Sequence, residues 1–186
     1  MTAMFHESSL NASIGEWNVS GVLDFSLMFA DTVVMADLSN WDTASALSMN
    51  SMFEGSFFND EDQLSGWDVS RVIDFGLMFL NSTFNGNIAL WDVSSATNMD
   101  DMFRNSFFNN DVSSWDVSQV MDFSDMFRDT FFEQDLSQWD TSAVQYTNDM
   151  FYGSTFDGDI SAWGETVYVL FGYITNPFSL DLCCYT

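Results

Sequence analysis

The sequence predicts a repeat solenoid, with one short parallel strand and one short helical turn in each unit of 24 residues. Three observations predict it. Seven tryptophans, Trp17, Trp41, Trp67, Trp91, Trp115, Trp139 and Trp163, are spaced 24, 26, 24, 24, 24 and 24 residues apart. Self-similarity at a fixed period of roughly 20–50 residues marks stacked repeat architectures. The residues between the tryptophans recur with them, in the pattern that Trp91 to Ser114 displays as WDVSSATNMDDMFRNSFFNNDVSS. Within each unit, moreover, the apolar spacing changes from a period of two to a helical one.

Numbering each unit from its Trp as position 1 makes the elements legible. Positions 1 to 4 alternate as a strand does, with Trp and Val inward and Asp and Ser outward. Position 22 of one unit and positions 1, 3 and 6 of the next give apolar–x–x–Trp–x–Val–x–x–Val, as in Val112, Trp115, Val117 and Val120. That is the spacing of a leucine-rich-repeat core, with Val or Ala where Asn or Cys would stand, so the solenoid is expected to be leucine-rich-repeat-like. Positions 6, 9, 12 and 13 (Val120, Phe123, Met126, Phe127) then share one face of a short helix. Position 8 offers N-caps in Asp24, Ser48, Asp74, Asn98 and Asp122. Asp101 and Asp125 at position 11 would sit in the first turn, each three residues before an arginine, Arg104 or Arg128. Position 18 is a second core anchor (Phe58, Phe84, Phe108, Phe132, Phe156), and Asn59, Asn85 and Asn109 after it mark the turn back. The Met-Phe pair at positions 12 and 13 reads as core, because stacking needs the same apolar residue in every unit.

The whole chain reads as one solenoid domain. Residues 1–16 form a partial N-terminal repeat already in phase, 17–162 six repeats, and 163–186 a degenerate C-terminal repeat. The second unit carries two extra residues, read as Asp60 and Glu61 in a surface loop. The last unit keeps apolar slots at Tyr168, Phe171, Ile174 and Leu180 but loses the Asp, Met-Phe and Asn signals. It reads as a cap or as a read-through tail, with the tail favoured because a cap should be more polar.

Composition sets the broad class. Apolar residues make up 47% of the chain, so disorder is excluded despite the charge. Twenty-eight Asp and Glu stand against three Arg and no Lys, for a net charge of −25. That balance argues against nucleic acid and against anionic membrane surfaces. It favours cations, basic partners or a saline medium. Cys183 and Cys184 are adjacent, and no CxxC or His pairing accompanies them, so neither a disulfide framework nor a zinc site is expected. No run approaches the ~18 apolar residues of a membrane span. The N-terminus lacks a signal peptide, which leaves an intracellular protein or a fragment of a longer one.

The stretch from Trp115 to Ser137, WDVSQVMDFSDMFRDTFFEQDLS, closely resembles the BspA-type leucine-rich-repeat surface proteins. It is similar in particular to the tandem repeats of mycoplasma lipoproteins, and the resemblance spans roughly residues 4 to 162. The resemblance implies a curved solenoid used in surface display, adhesion or protein binding, outside the cell or on its surface. It implies no enzymatic activity and no catalytic residues. The chain departs from the family in lacking an export signal or a lipobox Cys, which bears on localisation rather than fold.

The candidate site is the outward ladder of positions 2 and 4, which the solenoid would place on its concave face. It comprises Asp42, Asp68, Asp92, Asp116 and Asp140 with Ser70, Ser94, Ser118 and Ser142, beside a structural core ladder of the seven tryptophans. Carboxylates ~5 Å apart repel by roughly 1 kcal/mol per pair even in water, so the row needs a compensating reason. Hydrogen bonds from backbone N–H or Ser hydroxyl groups are one. Capture of Ca²⁺ or of a basic protein partner is the other. A further acidic row at position 21 (Asp37, Asn87, Asp111, Asp135, Asp159) is assigned to the return turn. No EF-hand-type loop is present, so the calcium signal is weak and no cofactor is expected. An enzyme should break the repeat where its groups converge, and His6 and the repeated carboxylates do not. The sequons at Asn11, Asn18 and Asn81 read as chance occurrences. Three functions remain: a surface interaction protein engaging a cationic partner, a passive structural array, and a stalk stiffened by Ca²⁺. The half repeat at the N-terminus would leave an apolar end, so the isolated chain is expected to associate end to end. Sedimentation at high concentration checks this, and a clean monomer would contradict it.

Overall fold

The computed structural model describes residues 1–10, 13–58 and 62–163. Asn11, the insertion at Asp60 and Glu61, and the last unit beyond Trp163 with its two cysteines lie outside the described residues.

Successive units lie on one another in parallel register. The strands β1 (Ser9–Leu10), β2 (Val33–Val34) and β3 (Phe57–Phe58) form a parallel sheet in that order, with Val33 opposite Ser9 and Phe57. A second line of parallel bridges joins Asp24, Ser48, Asp74, Asn98, Asp122 and Tyr146. The strands occupy positions 17 and 18, and the bridges position 8. The second unit keeps this register despite its two extra residues, since Ser48 pairs with Asp74.

No α-helix occurs among the described residues; the only helical turn there is a 3-10 turn at Ser161–Trp163. The stretch expected to be helical is instead a run of shared hydrogen bonds. In the Trp91 unit, the N–H groups of Met99, Asp101, Phe103 and Asn105 donate to Asp122, Ser124, Met126 and Arg128 of the next unit at 2.8–3.0 Å. The alternate N–H groups of Met102, Arg104 and Ser106 donate back three residues, to Met99, Asp101 and Phe103. An α-helix would keep all of these bonds inside the segment. Here four of the seven are given to the neighbour, and positive φ at positions 11 and 15 makes that alternation possible. Position 11 holds Leu27, Ser51, Leu77, Asp101, Asp125 and Asp149 at φ of 53–57°, and position 15 holds Asp31, Gly55, Asn81, Asn105, Asp129 and Gly153 at 51–71°. Gly, Asn and Asp tolerate this left-handed region best, which accounts for the composition of position 15.

The Trp-Asp-Val-Ser segment is a turn rather than a strand. Each position-2 side chain accepts from the N–H two residues on, as Asp68 does from Ser70 at 3.0 Å. The position-6 N–H then closes back on position 3, as Val72 does on Val69 at 2.9 Å. The donors a strand would need are used locally. Burial still alternates as expected, with Val69, Val93 and Val117 buried between exposed Asp and half-buried Ser.

The core is a set of identical rows. At position 13, Phe5, Phe29, Phe53, Phe79, Phe103, Phe127 and Phe151 stack face to face, with centroids 5.4–5.8 Å apart and planes within 11°. Position 18 lies against it: Phe108 is 4.0 Å from Phe103 and Phe132 is 4.0 Å from Phe127. Each such ring contributes about 2–3 kcal/mol through burial. Buried hydroxyls at position 16 are satisfied along the row, Ser56 by donating to the Phe53 carbonyl and lying 3.2 Å from Ser82 Oγ.

The tryptophans hold neighbouring units together by a bond as well as by stacking. The indole Nε1 of Trp41, Trp67, Trp91, Trp115, Trp139 and Trp163 donates to the carbonyl three residues before the preceding Trp: Ile14, Leu38, Leu64, Ile88, Val112 and Leu136, at 2.9–3.1 Å. Trp17 departs from the expected core ladder. It is 38% exposed, with the Phe5 ring 5.7 Å away and tilted by 40°. Trp91→Phe should therefore lower unfolding free energy by about 2 kcal/mol, through the lost indole bond and buried area. Trp17→Phe should change it by less than about 0.5 kcal/mol. Urea denaturation of the two variants checks the contrast.

Candidate functional site

The same local device positions three polar rows. An Asp or Asn at positions 2, 8 and 21 accepts from the N–H two residues on, which turns the chain and leaves the carboxylate outside. At position 2, Asp42, Asp68, Asp92, Asp116 and Asp140 accept from Ala44, Ser70, Ser94, Ser118 and Ser142 at 3.0–3.2 Å. Ser70 and Ser94 add hydroxyl bonds of 2.6 Å. All five carboxylates are exposed, and every one of these bonds goes to Oδ1. The donors belong to the same unit, so each Asp is oriented without help from its neighbours. Donation from the Ser hydroxyl and then the Ser backbone holds Asp68 and Asp140 below the usual carboxylate range. At position 21 the return turn uses the same bond, Asp37 to Ser39, Asp111 to Ser113, Asp135 to Ser137 and Asp159 to Ser161. These four carboxyls are likewise lowered, Asp37 chiefly by the Ser39 side chain and the other three chiefly by backbone N–H.

A third polar row, at positions 8 and 10, is richer than the helix caps expected there. Asn98 Nδ2 donates to Asp74 Oδ1 at 3.0 Å and to Asp100 Oδ1 at 2.7 Å, and Asn50 reaches Asp74 at 3.4 Å. Gly76 leaves room for this cluster, because a Cβ there would lie 2.3 Å from Asp100 Oδ1 and 2.9 Å from Asn98 Nδ2. Burial pushes the Asp100 carboxyl up against the Asn98 bond, and the charges of Asp122, Asp101 and Asp74 add to the rise. The sequence signal for this row was present, in the polar residues that recur at position 8 and at most units' position 10, but helix capping was the wrong role for it. Amide rows were missed in the same way. Asn109 and Glu133 donate from their backbones to Asn85 and Asn109 Oδ1 of the preceding unit, and Asn105 Nδ2 donates to Asn81.

The expected pairs of Asp101 with Arg104 and of Asp125 with Arg128 form at 3.0 and 2.9 Å, across a tight turn rather than a helix. Arg128 also faces Asp129 and Asp149 at 3.4 Å and lies 4.7 Å above the Tyr152 ring. His6 stands 3.7 Å from Asp31 and is exposed. Among the described residues, no group of three or more His, Cys, Asp or Glu is placed to hold a metal ion. Nor is any helix there long and apolar enough to cross a membrane.

Residues 1–85 and 78–170 match the family described as Mycoplasma protein of unknown function, DUF285. The chain belongs to that family. The two matched segments divide the tandem units between them, in keeping with a repeat protein. No curated protein and no solved structure matches the chain.

The two kinds of carboxylate make opposite contributions to stability. Asp24, Asp68, Asp111, Asp135 and Asp140 have lowered values, so their contribution is complete above the unfolded pKa and lost as pH falls through the folded one. Asp100 is raised, so its deprotonation costs stability as pH rises past the unfolded value. Asp100→Asn keeps an acceptor for Asn98 and should raise the melting temperature at pH 7. The gain should vanish below about pH 4, where Asp100 is protonated in both states. Melting curves from pH 3 to 8 check this.

Proposed function

We propose that the stacked units form a leucine-rich-repeat-like solenoid that serves as a non-catalytic binding module at the cell surface or outside the cell. Its partner is a basic protein, engaged by the exposed row Asp42, Asp68, Asp92, Asp116 and Asp140. The observation that carries this reading is the orientation of the row: each carboxylate is fixed through Oδ1 by its own unit, and all five face solvent in one register. A net charge of −25 with only three arginines supplies the long-range attraction for a cation-rich surface. Membership of a mycoplasma repeat family supports surface display. No cofactor is invoked.

A second reading, a passive or Ca²⁺-stiffened acidic stalk, is favoured by the same hydrogen bonds, since the turn alone gives the Asp a structural role. Asn18 separates the two. It makes the identical turn with Ser20, through bonds of 3.2 and 2.7 Å, without a charge. Substituting Asp68, Asp92 and Asp116 with Asn should therefore preserve the fold while removing three charges. Binding of a labelled peptide of alternating Lys and Ser should weaken at least about tenfold, roughly 1.4 kcal/mol, with little change in melting temperature. Unchanged affinity would dismiss the binding row. Melting of the wild-type chain in millimolar Ca²⁺ against Na⁺ of matched ionic strength is the companion measurement. A Ca²⁺-specific rise, absent from the triple variant, would assign the row to the ion.

A further inference from the structure

Position 17 carries the other regular surface feature. In β2 and β3 the chain alternates, with Val34 and Phe58 buried while Val33 and Phe57 face out. The same outward position holds Thr83, Phe107, Phe131 and Thr155 in later units. Val33, Phe57, Phe107 and Phe131 are 38, 51, 63 and 66% exposed. The backbone keeps this row in line, because the N–H groups of Val33, Phe57, Thr83 and Phe107 donate to Ser8, Thr32, Ser56 and Ser82 of the preceding units. Isolated apolar residues at a surface are ordinary, but here two adjacent pairs, Val33 with Phe57 and Phe107 with Phe131, lie in one register on either side of Thr83. The core does not require them, since Thr83 and Thr155 occupy the same position in the same backbone.

The row is bordered by acids at its two ends. Asp31 at position 15 flanks Val33, and Asp129 at position 15 and Glu133 at position 19 flank Phe131, all exposed, while Gly55 precedes Phe57 and Asn105 and Asn109 flank Phe107. An apolar row with carboxylates at its two ends is complementary to side chains that pair an apolar stem with a positive end, through ring contact, cation–π attraction and the end charges. The charge of the whole chain excludes an acidic occupant and opposes a second copy of this chain, which is equally negative. With units about 4.7–4.9 Å apart, Val33 to Phe131 spans roughly 19 Å, the reach of about six residues of extended chain.

We propose that the row Val33, Phe57, Phe107 and Phe131 is a docking surface for a segment of a protein partner rich in both Lys or Arg and apolar residues. This rests on the reading of the chain as a module that binds a basic protein, and adds to it a second face that selects for apolar content. The occupant lies along the row, its apolar side chains on the phenylalanines and its cations on the carboxylates at the two ends.

The test uses three labelled peptides of about 12 residues, alternating Lys/Leu, Lys/Ser and Glu/Leu, titrated at fixed ionic strength. The wild-type chain should bind Lys/Leu at least about tenfold tighter than Lys/Ser and should not bind Glu/Leu. The variant Phe57→Thr, Phe107→Thr, Phe131→Thr uses the residue that Thr83 and Thr155 already place at this position, and circular dichroism confirms its fold. It should lose the preference for Lys/Leu while binding Lys/Ser as before. A preference that survives in this variant, or comparable binding of Glu/Leu, would overturn the proposal. So would dimerisation of the wild-type chain in sedimentation that the variant abolishes, since a second copy would then own the surface. The Asp68, Asp92 and Asp116 variant separates the two readings. If it binds both basic peptides like wild type, the Asp row fails as a site, while a Lys/Leu preference that persists supports the aromatic row independently.

Discussion

The structure depends on one constraint: backbone donors between positions 9 and 15 are divided alternately between the unit itself and the unit that follows. A unit cut from the stack would leave four N–H groups without acceptors, as Met99, Asp101, Phe103 and Asn105 would be without the Trp115 unit. Those groups, and the rings stacked on the next unit, would pass to water, so a unit gains these bonds and its buried area only in the stack and stability accumulates by stacking. The division also explains the left-handed residues at positions 11 and 15. Each reverses the direction of the peptide plane so that the next N–H points within the unit rather than out of it.

Strict repetition of the core follows from this geometry. Units bonded at a fixed short spacing place like atoms over like atoms, and only residues that stack on themselves satisfy every level at once. Phenylalanine at position 13 does so with planes nearly parallel. Tryptophan at position 1 adds an indole bond to a carbonyl that already accepts the preceding Trp backbone N–H, as Leu64 accepts from both Trp67 and Trp91. At position 3, where two of the six repeats depart from Val, the replacement finds a compatible bond, as Thr141 does by donating to the Trp163 carbonyl. Thr43 stands where most units have Val and donates to the Asp68 carbonyl.

Freed from the core, the outer positions are where function can be written. The Asp-x-Ser turn makes an acidic residue structurally useful while exposing its charge, so one side chain serves fold and surface together. The phenylalanines at position 17 have no such structural task, and their exposure is the opposite of what solubility alone would select. The acidic turns and the aromatic row therefore differ in kind, the first explicable by folding and the second not.

The sequence by itself determined the period, the unit boundaries, the buried positions and the outward-facing acids, because each of these repeats along the chain and burial selects residue type directly. Trp41 to Trp163, the Met-Phe pairs from Met28–Phe29 onward and the position-18 phenylalanines are buried where the spacing places them. The exposed Asp row is also where the alternation places it, although a turn rather than a strand produces it. What only the tertiary structure decided is the destination of the backbone hydrogen bonds. An apolar spacing of three and four fits a helix and a run of alternating turns equally, and the choice lies in whether a neighbour's carbonyl stands at the right height. That also decided the bridge line at position 8, the cluster of Asp74, Asn98 and Asp100 about Gly76, and the exposure of Trp17. Each depends on what lies in the adjacent unit, about 24 residues away, and local sequence carries no record of that distance.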